Sequence, residues 1–504
     1  MTKEDIRTAS RHQLESKVIT LQDENAALRE RLDWLQKQVF GPRSEKSHAC
    51  ADGDQSELDL GLAPVALAEA EPAEDDADAV PAPKRKARKP KSDIPKDLPV
   101  YSDTTLLPEG VDPAQCETIG EEISRKLEIV PARIGWHIIR RPKMRDIEGA
   151  IHIAALPPHC NEKGLAGASI EAKVYADKFQ FHLPLYRQAS SIQQETGVAF
   201  AVSTLGDMVA NVDFWLQSIA LEIRKAIVAQ PYVQADETRM PVLGVGEPGK
   251  VHNGYQWVVN APLLRAVAFM YRDGRRQECA EDLLVGFAGK LQTDAYGGYN
   301  PMRKDPAISM VGCMAHARRK FFEAKDHPRL RKEVLAIFAR LYAVEEQARD
   351  EMKERELGHG HRLALRTEAS VPLMAELRAL LDGSLVGLPP KSASAKAIGY
   401  ALAIWDPLCE FLADGTLEID NNLVENAIRP LALGRKNWMF GGSEDGARRT
   451  STAYTIIGTA RMQGLDPRAY VEMLLRELPR CMATKASLDR LMPWNAKASG
   501  LMPA

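Results

Sequence analysis

The chain has 504 residues, of which 45% are hydrophobic and 27% charged, and its net charge is −3. This composition is ordinary for a globular protein, and the length predicts two or more domains with a large apolar core. The seven cysteines are scattered along the chain, which favours reduced thiols over a disulfide framework. No apolar run approaches the roughly 20 residues that a membrane span needs, and no secretion signal is evident. We therefore expect a cytoplasmic protein without a membrane partner.

The first predicted element is a coiled coil within residues 10–40. Its a and d positions alternate at spacings of four and three: Leu14, Val18, Leu21, Asn25, Leu28, Leu32, Leu35 and Val39. Leucine occupies each d position, and the Asn at an a position favours a parallel two-stranded register. The pattern predicts self-association. The alternative is a single amphipathic helix packed on its own domain.

A segment of strongly uneven charge follows. Residues 51–82 contain ten acidic residues and no Lys or Arg, and residues 84–91 contain six basic residues. Both stretches are rich in Pro and Ala, which indicates a disordered linker. It acts either as a solvated tether or as a basic segment that contacts nucleic-acid phosphates.

Short strand-like segments and longer helical patterns occupy the rest of the chain. Residues 134–140 and 150–155 are predicted as strands, and residues 169–179 and 203–228 as helices, the latter with Ser203 as its N-cap. Further strands are predicted over 232–235, 255–259, 267–271, 290–293 and 308–312. Helices are predicted over 315–325, from 328 to about 415, and from Asp420 onward. This order indicates an α/β core that is interrupted by a helical insertion.

Three acidic residues are candidates for chemistry. Asp236 and Asp294 each follow a predicted strand, and acids at the ends of neighbouring strands converge. Glu425 lies on the last predicted core helix. Carboxylates suit Mg²⁺ or Mn²⁺, and two such ions about 4 Å apart activate an attacking oxygen and stabilise a leaving one. Taken singly, such an Asp is more often a turn or cap residue and Glu425 could simply pair with Arg429, so spacing alone does not select these three.

Seven short motifs carry the strongest signal in the sequence. They are FGPRSEK at 40–46, HLPLYRQ at 182–188, ADET at 235–238, TDAYGGY at 293–299, CMAHARRKF at 313–321, DNNLVE at 420–425 and GRKNW at 434–438. With these motifs in this order, the chain resembles the large transposase of the insertion sequence 66 family over nearly its whole length.

The resemblance implies an α/β ribonuclease H-like catalytic core whose acid triad is Asp236, Asp294 and Glu425. These residues would hold two Mg²⁺ or Mn²⁺ ions for strand cleavage at transposon ends and strand transfer into target DNA. Cys313 and His316 match a Cys-x-x-His motif that often precedes the insertion in such transposases. We expect them to support the fold near the site; the alternative is a metal-ligand pair.

The resemblance also implies DNA and protein partners. DNA, as transposon terminal repeats and target, is expected to meet basic residues beside the acid motifs; the alternative for these residues is a solvated charged face. They are Arg318, Arg319, Lys320, Arg429, Arg435 and Lys436. A homodimer or larger assembly is expected through the coiled coil, with small accessory transposition proteins as further partners. Association with the bacterial nucleoid is expected when the protein is bound to DNA.

One departure from the family concerns zinc. Many members carry two Cys-x-x-Cys pairs before the catalytic core, whereas this region has only Cys116 and Cys160. We therefore expect no zinc site, and the segment could still bind DNA through basic residues. These include Arg140, Arg141, Lys143 and Arg145.

The predicted organisation has eight parts. They are a coiled coil (1–47), an acidic and basic linker (48–98), a small α+β DNA-binding region (99–168), a helical domain (169–230), the first part of the catalytic core (231–327), the helical insertion (328–415), the final core helix with Glu425 (416–464) and a helical tail (465–504). Two alternative functions stay open at this point. One is a catalytically inactive, transposase-derived DNA-binding protein, and the other is a scaffold built on the coiled coil.

Overall fold

A computed structural model describes residues 134–141, 143–145, 151–153, 158–161, 164–243, 251–438 and 441–502. The predicted coiled coil and linker lie outside these residues, as does most of the predicted DNA-binding region. Among the helices in the described ranges, none combines the length and the apolar character of a membrane span.

The first described strands form a small hairpin. β1 (Lys143–Arg145) pairs antiparallel with β2 (Ile151–Ile153). The strand predicted over 150–155 is thus confirmed in shortened form, but the strand predicted over 134–140 is wrong. That stretch has no regular secondary structure, and the Trp136 side chain is 79% exposed. A strand needs a neighbour to take its backbone hydrogen bonds, so apolar residues alone do not form one.

Three helices precede the sheet: α1 (Ala168–Phe179), α2 (Leu185–Thr196) and α3 (Val202–Val228). The prediction of α1 and α3 is confirmed, because α3 buries apolar residues at helical spacing along its whole length. The prediction of Ser203 as the N-cap is wrong. Ala201 occupies that position, and its side chain accepts no capping hydrogen bond. The sequence did not predict α2.

A five-stranded mixed sheet follows. Its strands are β3 (Tyr232–Leu243), β4 (Val251–Ala261), β5 (Ala266–Arg272), β6 (Gly289–Gln292) and β7 (Ile308–Val311). The spatial order is β5-β4-β3-β6-β7; the first three in sequence pair antiparallel, and β6 and β7 run parallel to β3. Parallel neighbours need a crossover, which here contains α4 (Gln277–Leu283) before β6 and α5 (Asn300–Lys304) before β7. This topology is compatible with a ribonuclease H-like core.

A block of helices follows the sheet in the sequence and precedes the helix that carries Glu425. After α6 (Met314–Glu323), the block comprises α7 (Pro328–Glu354), α8 (His359–Leu365), α9 (Val371–Leu385), α10 (Ala393–Ala403) and α11 (Trp405–Cys409). These helices bury an apolar cluster of their own that includes Phe338, Leu377 and Ile398. The chain then enters α12 (Asn422–Trp438). The helices predicted from 328 to about 415 and from 420 are therefore confirmed.

The last two long helices are α13 (Glu444–Met462) and α14 (Pro467–Thr484). Hydroxyls spaced four residues apart on α13 accept hydrogen bonds from amides spaced two apart on β5. The pairs are Ser451 with Tyr271, Thr455 with Phe269 and Thr459 with Val267. Four helical residues rise about 6 Å and two strand residues about 6.6 Å, so the two repeats match. Because β5 is an edge strand, α13 satisfies amides that would otherwise be free to pair with another chain.

Candidate active site

The two candidate aspartates lie on neighbouring parallel strands. The register pairs Gln234 of β3 with Gln292 of β6, so its continuation by two residues brings Asp236 opposite Asp294. Asp236 does not end its strand as predicted, since β4 pairs with β3 as far as Leu243. What ends near Asp236 is β6, whose last residue is Gln292. Asp236 therefore stands at the point where β3 loses one of its two neighbours.

Strand alternation decides which acids share a face. Gln234 and Asp236 point to one face of the sheet, and Gln292, the partner of Gln234, points to the same face, while Asp294 follows the end of β6. Glu237 points to the opposite face, where its carboxylate accepts hydrogen bonds from Arg275 Nε at 2.6 Å and from the Tyr299 hydroxyl at 3.1 Å. The acid adjacent to Asp236 in sequence is thus already paired with Arg275 and Tyr299, although its charge still acts on Asp236.

Glu425 lies in the first turn of α12. The Gln234 side chain fixes the start of this helix: its Nε2 donates to the Asp420 carbonyl at 2.9 Å, and its Oε1 accepts from the Val424 amide at 3.2 Å. The Asp420 carboxylate accepts from the amide of Asn422, the first helical residue, at 3.0 Å. The start of α12 is therefore bound to the strand that carries Asp236.

Two further side chains hold the segment before α12. Gln292 Nε2 donates to the carbonyls of Gly312 and Glu418, each at 3.0 Å, and the Tyr232 hydroxyl accepts from the Glu418 amide at 3.2 Å. Gln234 and Gln292 also bond to each other at 2.9 Å. The sequence analysis assigned no role to these glutamines. The sequence nevertheless contains a pattern that could have identified these glutamines, because a Gln stands two residues before each aspartate.

The electrostatics of the three acids show that they are mutual neighbours. Burial raises the pKa of Asp236 well above its usual range, and the negative charges of Glu237, Glu425 and Asp294 raise it further. Burial raises the pKa of Glu425 to about 7, helped by Asp420 and Asp294 and opposed by Arg319 and Arg429. Crowded carboxylates without a compensating charge favour protons, and a bound cation would favour the ionised forms instead.

The donor chemistry of these residues fits a divalent cation. Carboxylate oxygens are the ligands that Mg²⁺ prefers, and the mutual repulsion of the three acids is of the kind that such an ion relieves. Within the part of the chain that the structure describes, no three His, Cys, Asp or Glu side chains are close enough to enclose a metal ion. Mg²⁺ is commonly held by only one or two carboxylates, with water and substrate phosphates completing its shell.

Cys313 and His316 lie beside this arrangement. Cys313 is buried where α6 begins, and its Sγ donates to Asn421 Oδ1 at 2.9 Å. His316 Nδ1 lies 3.9 Å from Glu425 Oε1, and burial lowers the pKa of this histidine, although Asp294 opposes the shift. Both residues thus contact the segment that carries Glu425, and their supporting role stays a prediction.

The six candidate DNA contacts are spread over α6 and α12. On α6, Arg319 pairs with Glu323 at 3.1 Å, and Lys320 lies 5.7 Å from the centre of the Tyr400 ring. On α12, Nε and Nη2 of Arg429 are buried and have no hydrogen-bond partner among the described residues. The remaining three residues vary in exposure. Arg318 and Arg435 are half-buried, and Lys436 is exposed.

Comparisons with known proteins show which family the chain resembles. The profile of the Transposase IS66 family matches residues 163–449, which is more than half of the chain. Two further profiles match its ends: "Transposase C of IS166 homeodomain" over 27–102 and "IS66 C-terminal element" over 455–494.

Two relatives come from Sinorhizobium fredii (strain NBRC 101917 / NGR234). The uncharacterized protein y4jD is 33% identical over 94% of each chain. The uncharacterized protein y4hP is 32% identical over 94% of this chain and 89% of its own. The three family profiles match successive stretches of the sequence. The chain therefore belongs to the IS66 family of transposases.

Proposed function

We propose that this protein is a DDE transposase with a ribonuclease H-like catalytic core, whose acid triad is Asp236, Asp294 and Glu425. One observation carries the proposal: the two aspartates each stand two residues beyond a registered pair of parallel strand positions, Gln234 and Gln292, and Gln234 binds the start of the helix that bears the glutamate. The transposase family and its DDE domain support the same assignment.

The proposed chemistry is a pair of phosphodiester displacements. Water attacks the phosphorus at a transposon end, the bond from phosphorus to the 3′ oxygen breaks, and that oxygen leaves as a free 3′ hydroxyl. The 3′ hydroxyl then attacks a target phosphodiester and displaces a target 3′ oxygen, which joins the two DNAs. Transposases with a DDE domain generally use divalent metals. Two such ions supply activation of the attacking oxygen and stabilisation of the leaving one.

Each acid has a distinct structural role in this scheme. Asp236 is held rigidly by a central strand, and its Oδ1 accepts the amide of Glu237 at 2.8 Å. Asp294 follows a strand and is fixed by the Tyr296 amide, which donates to Oδ1 at 2.9 Å. Glu425 approaches from a helix. Asp236 and Asp294 therefore supply fixed ligands, and Glu425 supplies the third ligand from α12.

Basic residues near the triad form the proposed binding site for the DNA backbone. Membership of the family implies DNA binding. Arg319 and Arg429 both lie close enough to Glu425 to lower its pKa, and the Arg429 guanidinium retains buried donors without a partner. Phosphate oxygens accept such donors readily. We assign these two residues to the phosphates that flank the scissile bond.

The decisive experiment is a cleavage assay on DNA that carries the element's terminal repeats, with Mg²⁺ or Mn²⁺. Asp236→Asn, Asp294→Asn and Glu425→Gln should each slow cleavage by roughly a thousandfold or more, since each removes metal-dependent transition-state stabilisation of several kcal/mol. Asp273→Asn is the matched control, because this exposed aspartate follows β5 in the same sheet.

Gel-shift binding of the repeats should persist in all four variants. Cleavage by Asp236→Asn at the wild-type rate would remove the proposed triad. Wild-type protein that binds the repeats but cleaves with neither metal would instead support the inactive, transposase-derived DNA-binding protein.

A further inference from the structure

A pair of buried glutamines connects the three candidate acids. Gln234 and Gln292 stand two residues before Asp236 and Asp294, respectively, and neither side chain is exposed at all. They are paired across β3 and β6, and Gln234 Nε2 donates to Gln292 Oε1 at 2.9 Å. The hydrogen bond between the two side-chain amides therefore joins β3 and β6, two residues before the aspartates.

The same pair extends to the segment that carries Glu425. Gln292 Nε2 donates to the Glu418 carbonyl, and Gln234 bonds to both the Asp420 carbonyl and the Val424 amide. These contacts fall before α12 and within its first turn. Each amide nitrogen and oxygen of the two glutamines has at least one hydrogen-bond partner, so both side chains are held at both ends of the amide group.

Chain connectivity cannot supply this constraint. The helical insertion, from α7 to α11, separates Asp294 from Glu425, and it packs around an apolar cluster that is largely its own. The position of Glu425 relative to the aspartates is therefore set by the contacts of residues 418–424. Tyr342 and Arg362 of the insertion bind Asp420 and Glu418 from one side, and the two glutamines supply contacts from the strands that lead to the aspartates. Apolar side chains at 234 and 292 would fill the same space, but non-directional packing would not fix the register of that segment.

We propose that Gln234 and Gln292 are positioning residues, which set the separation between the two strand aspartates and Glu425 and thereby tune affinity for the divalent cation. This inference rests on the proposed function for the identity of the acids. Groups that orient metal ligands without touching the metal typically change metal affinity or activity by about 10–100-fold when they are replaced.

The chain offers a matched control in Gln256 of β4. This glutamine is equally buried and equally engaged: its Nε2 donates to the Ala447 carbonyl at 2.8 Å, and its Oε1 accepts from the Ser451 hydroxyl at 2.8 Å. Its partners lie on α13 and not on the segment before Glu425. Gln256→Met therefore removes a comparable buried amide while leaving the contacts to residues 418–424 intact.

The experiment compares Gln234→Met, Gln292→Met and Gln256→Met in the full-length protein. Mn²⁺ binding without DNA is measured by electron paramagnetic resonance of the free ion, and cleavage is measured as a function of Mn²⁺ and of DNA concentration. The first two variants should bind Mn²⁺ at least about tenfold more weakly and lose kcat, with KM for DNA within about threefold of wild type. Gln256→Met should lower the melting temperature similarly and leave Mn²⁺ affinity within about twofold.

Equal Mn²⁺ affinity in Gln234→Met, Gln292→Met and Gln256→Met would overturn the inference. Asp236→Asn, measured alongside, separates this failure from that of the proposed function: it should abolish both Mn²⁺ binding and cleavage, and if it abolishes neither, the triad itself is wrong. If Gln234→Met fails to fold by circular dichroism, Gln234→Glu replaces it. That variant keeps the oxygen that accepts from Val424 and loses the donor to Asp420, so the same tenfold weakening is expected and wild-type affinity again overturns the inference.

Discussion

Cys313 shows how a single buried side chain joins two distant parts of the chain. It lies at the N-cap position of α6, and its thiol donates to Asn421, which directly precedes α12. The Met314 amide also donates to the Ile419 carbonyl at 3.1 Å. Burial raises the pKa of Cys313 well above its usual range, and the negative charges of Asp420 and Glu425 raise it further. The thiol is therefore held protonated, which suits its role as the hydrogen-bond donor to Asn421.

We predict that Cys313 resists alkylation in the folded protein. Iodoacetamide reacts with the thiolate, so a thiol whose pKa is raised and whose sulfur is buried should stay unmodified at pH 8. Peptide mapping by mass spectrometry gives the measurement, and the same protein in guanidinium chloride gives the control, in which Cys313 should be fully labelled. Equal labelling in both conditions would contradict a buried supporting role.

At the scale of single residues, the candidate site residues were predicted from the motifs. The resemblance singled out Asp236, Asp294 and Glu425, because no physical rule selects them from the 69 acidic residues of the chain. Gln234 and Gln292 went unassigned although each stands two residues before an aspartate. Polar residues in strands usually face water, and only the strand register shows that these two face each other in the interior.

At the scale of elements, buried charge holds the helical insertion to the segment that leads back to the sheet. Arg366 is fully buried, and it donates to both carboxylate oxygens of Glu345, at 2.7 and 2.8 Å. Its remaining donors bind the carbonyls of Phe411, Asp414 and Leu417, which lead directly to the segment that Gln292 holds. The insertion thereby anchors the chain just before it returns to the sheet.

We predict that Arg366→Met lowers the free energy of unfolding by about 3–5 kcal/mol, because it removes both hydrogen bonds to the buried Glu345 carboxylate and leaves only the 3.9 Å contact with Arg362. Arg340→Met is the matched control. It breaks a pair with Glu376 in which both side chains are at least half exposed, and it should cost less than about 1 kcal/mol. Urea denaturation measures both, and equal losses would show that burial does not distinguish the two pairs.

Sequence periodicity predicted most helices and strands but not their contacts. α3 and the insertion helices were found because each buries apolar residues at helical spacing. The extension of β3 to Leu243 was missed, since its second half is stabilised by pairing with β4 and not by its own pattern. The hydroxyls of α13 that cover β5 were not recognised either, because a Ser or Thr every fourth residue has meaning only beside a strand edge.

At the scale of the whole molecule, the proposed reaction requires more than one chain. Each chain contributes one candidate triad, whereas transposition joins two element ends to one target. The heptad pattern within residues 10–40 offers a means of bringing two chains together. It lies outside the described residues, so self-association stays a prediction.

We predict that the full-length protein is at least a dimer at micromolar concentration, with a mass by light scattering of about twice the 55.7 kDa of one chain or more. Leu21 and Leu28 occupy d positions, and replacing both by Lys places charge in the apolar seam and should yield the single-chain mass. Ala27→Lys is the control, because position 27 lies on the outer face of the predicted heptad and should leave the mass unchanged. If the assembly is needed to pair two ends, the double variant should still bind a single terminal repeat but should no longer join two ends to a target. A wild-type protein that is monomeric at tens of micromolar would contradict the coiled coil, and the pairing of ends would then need another surface.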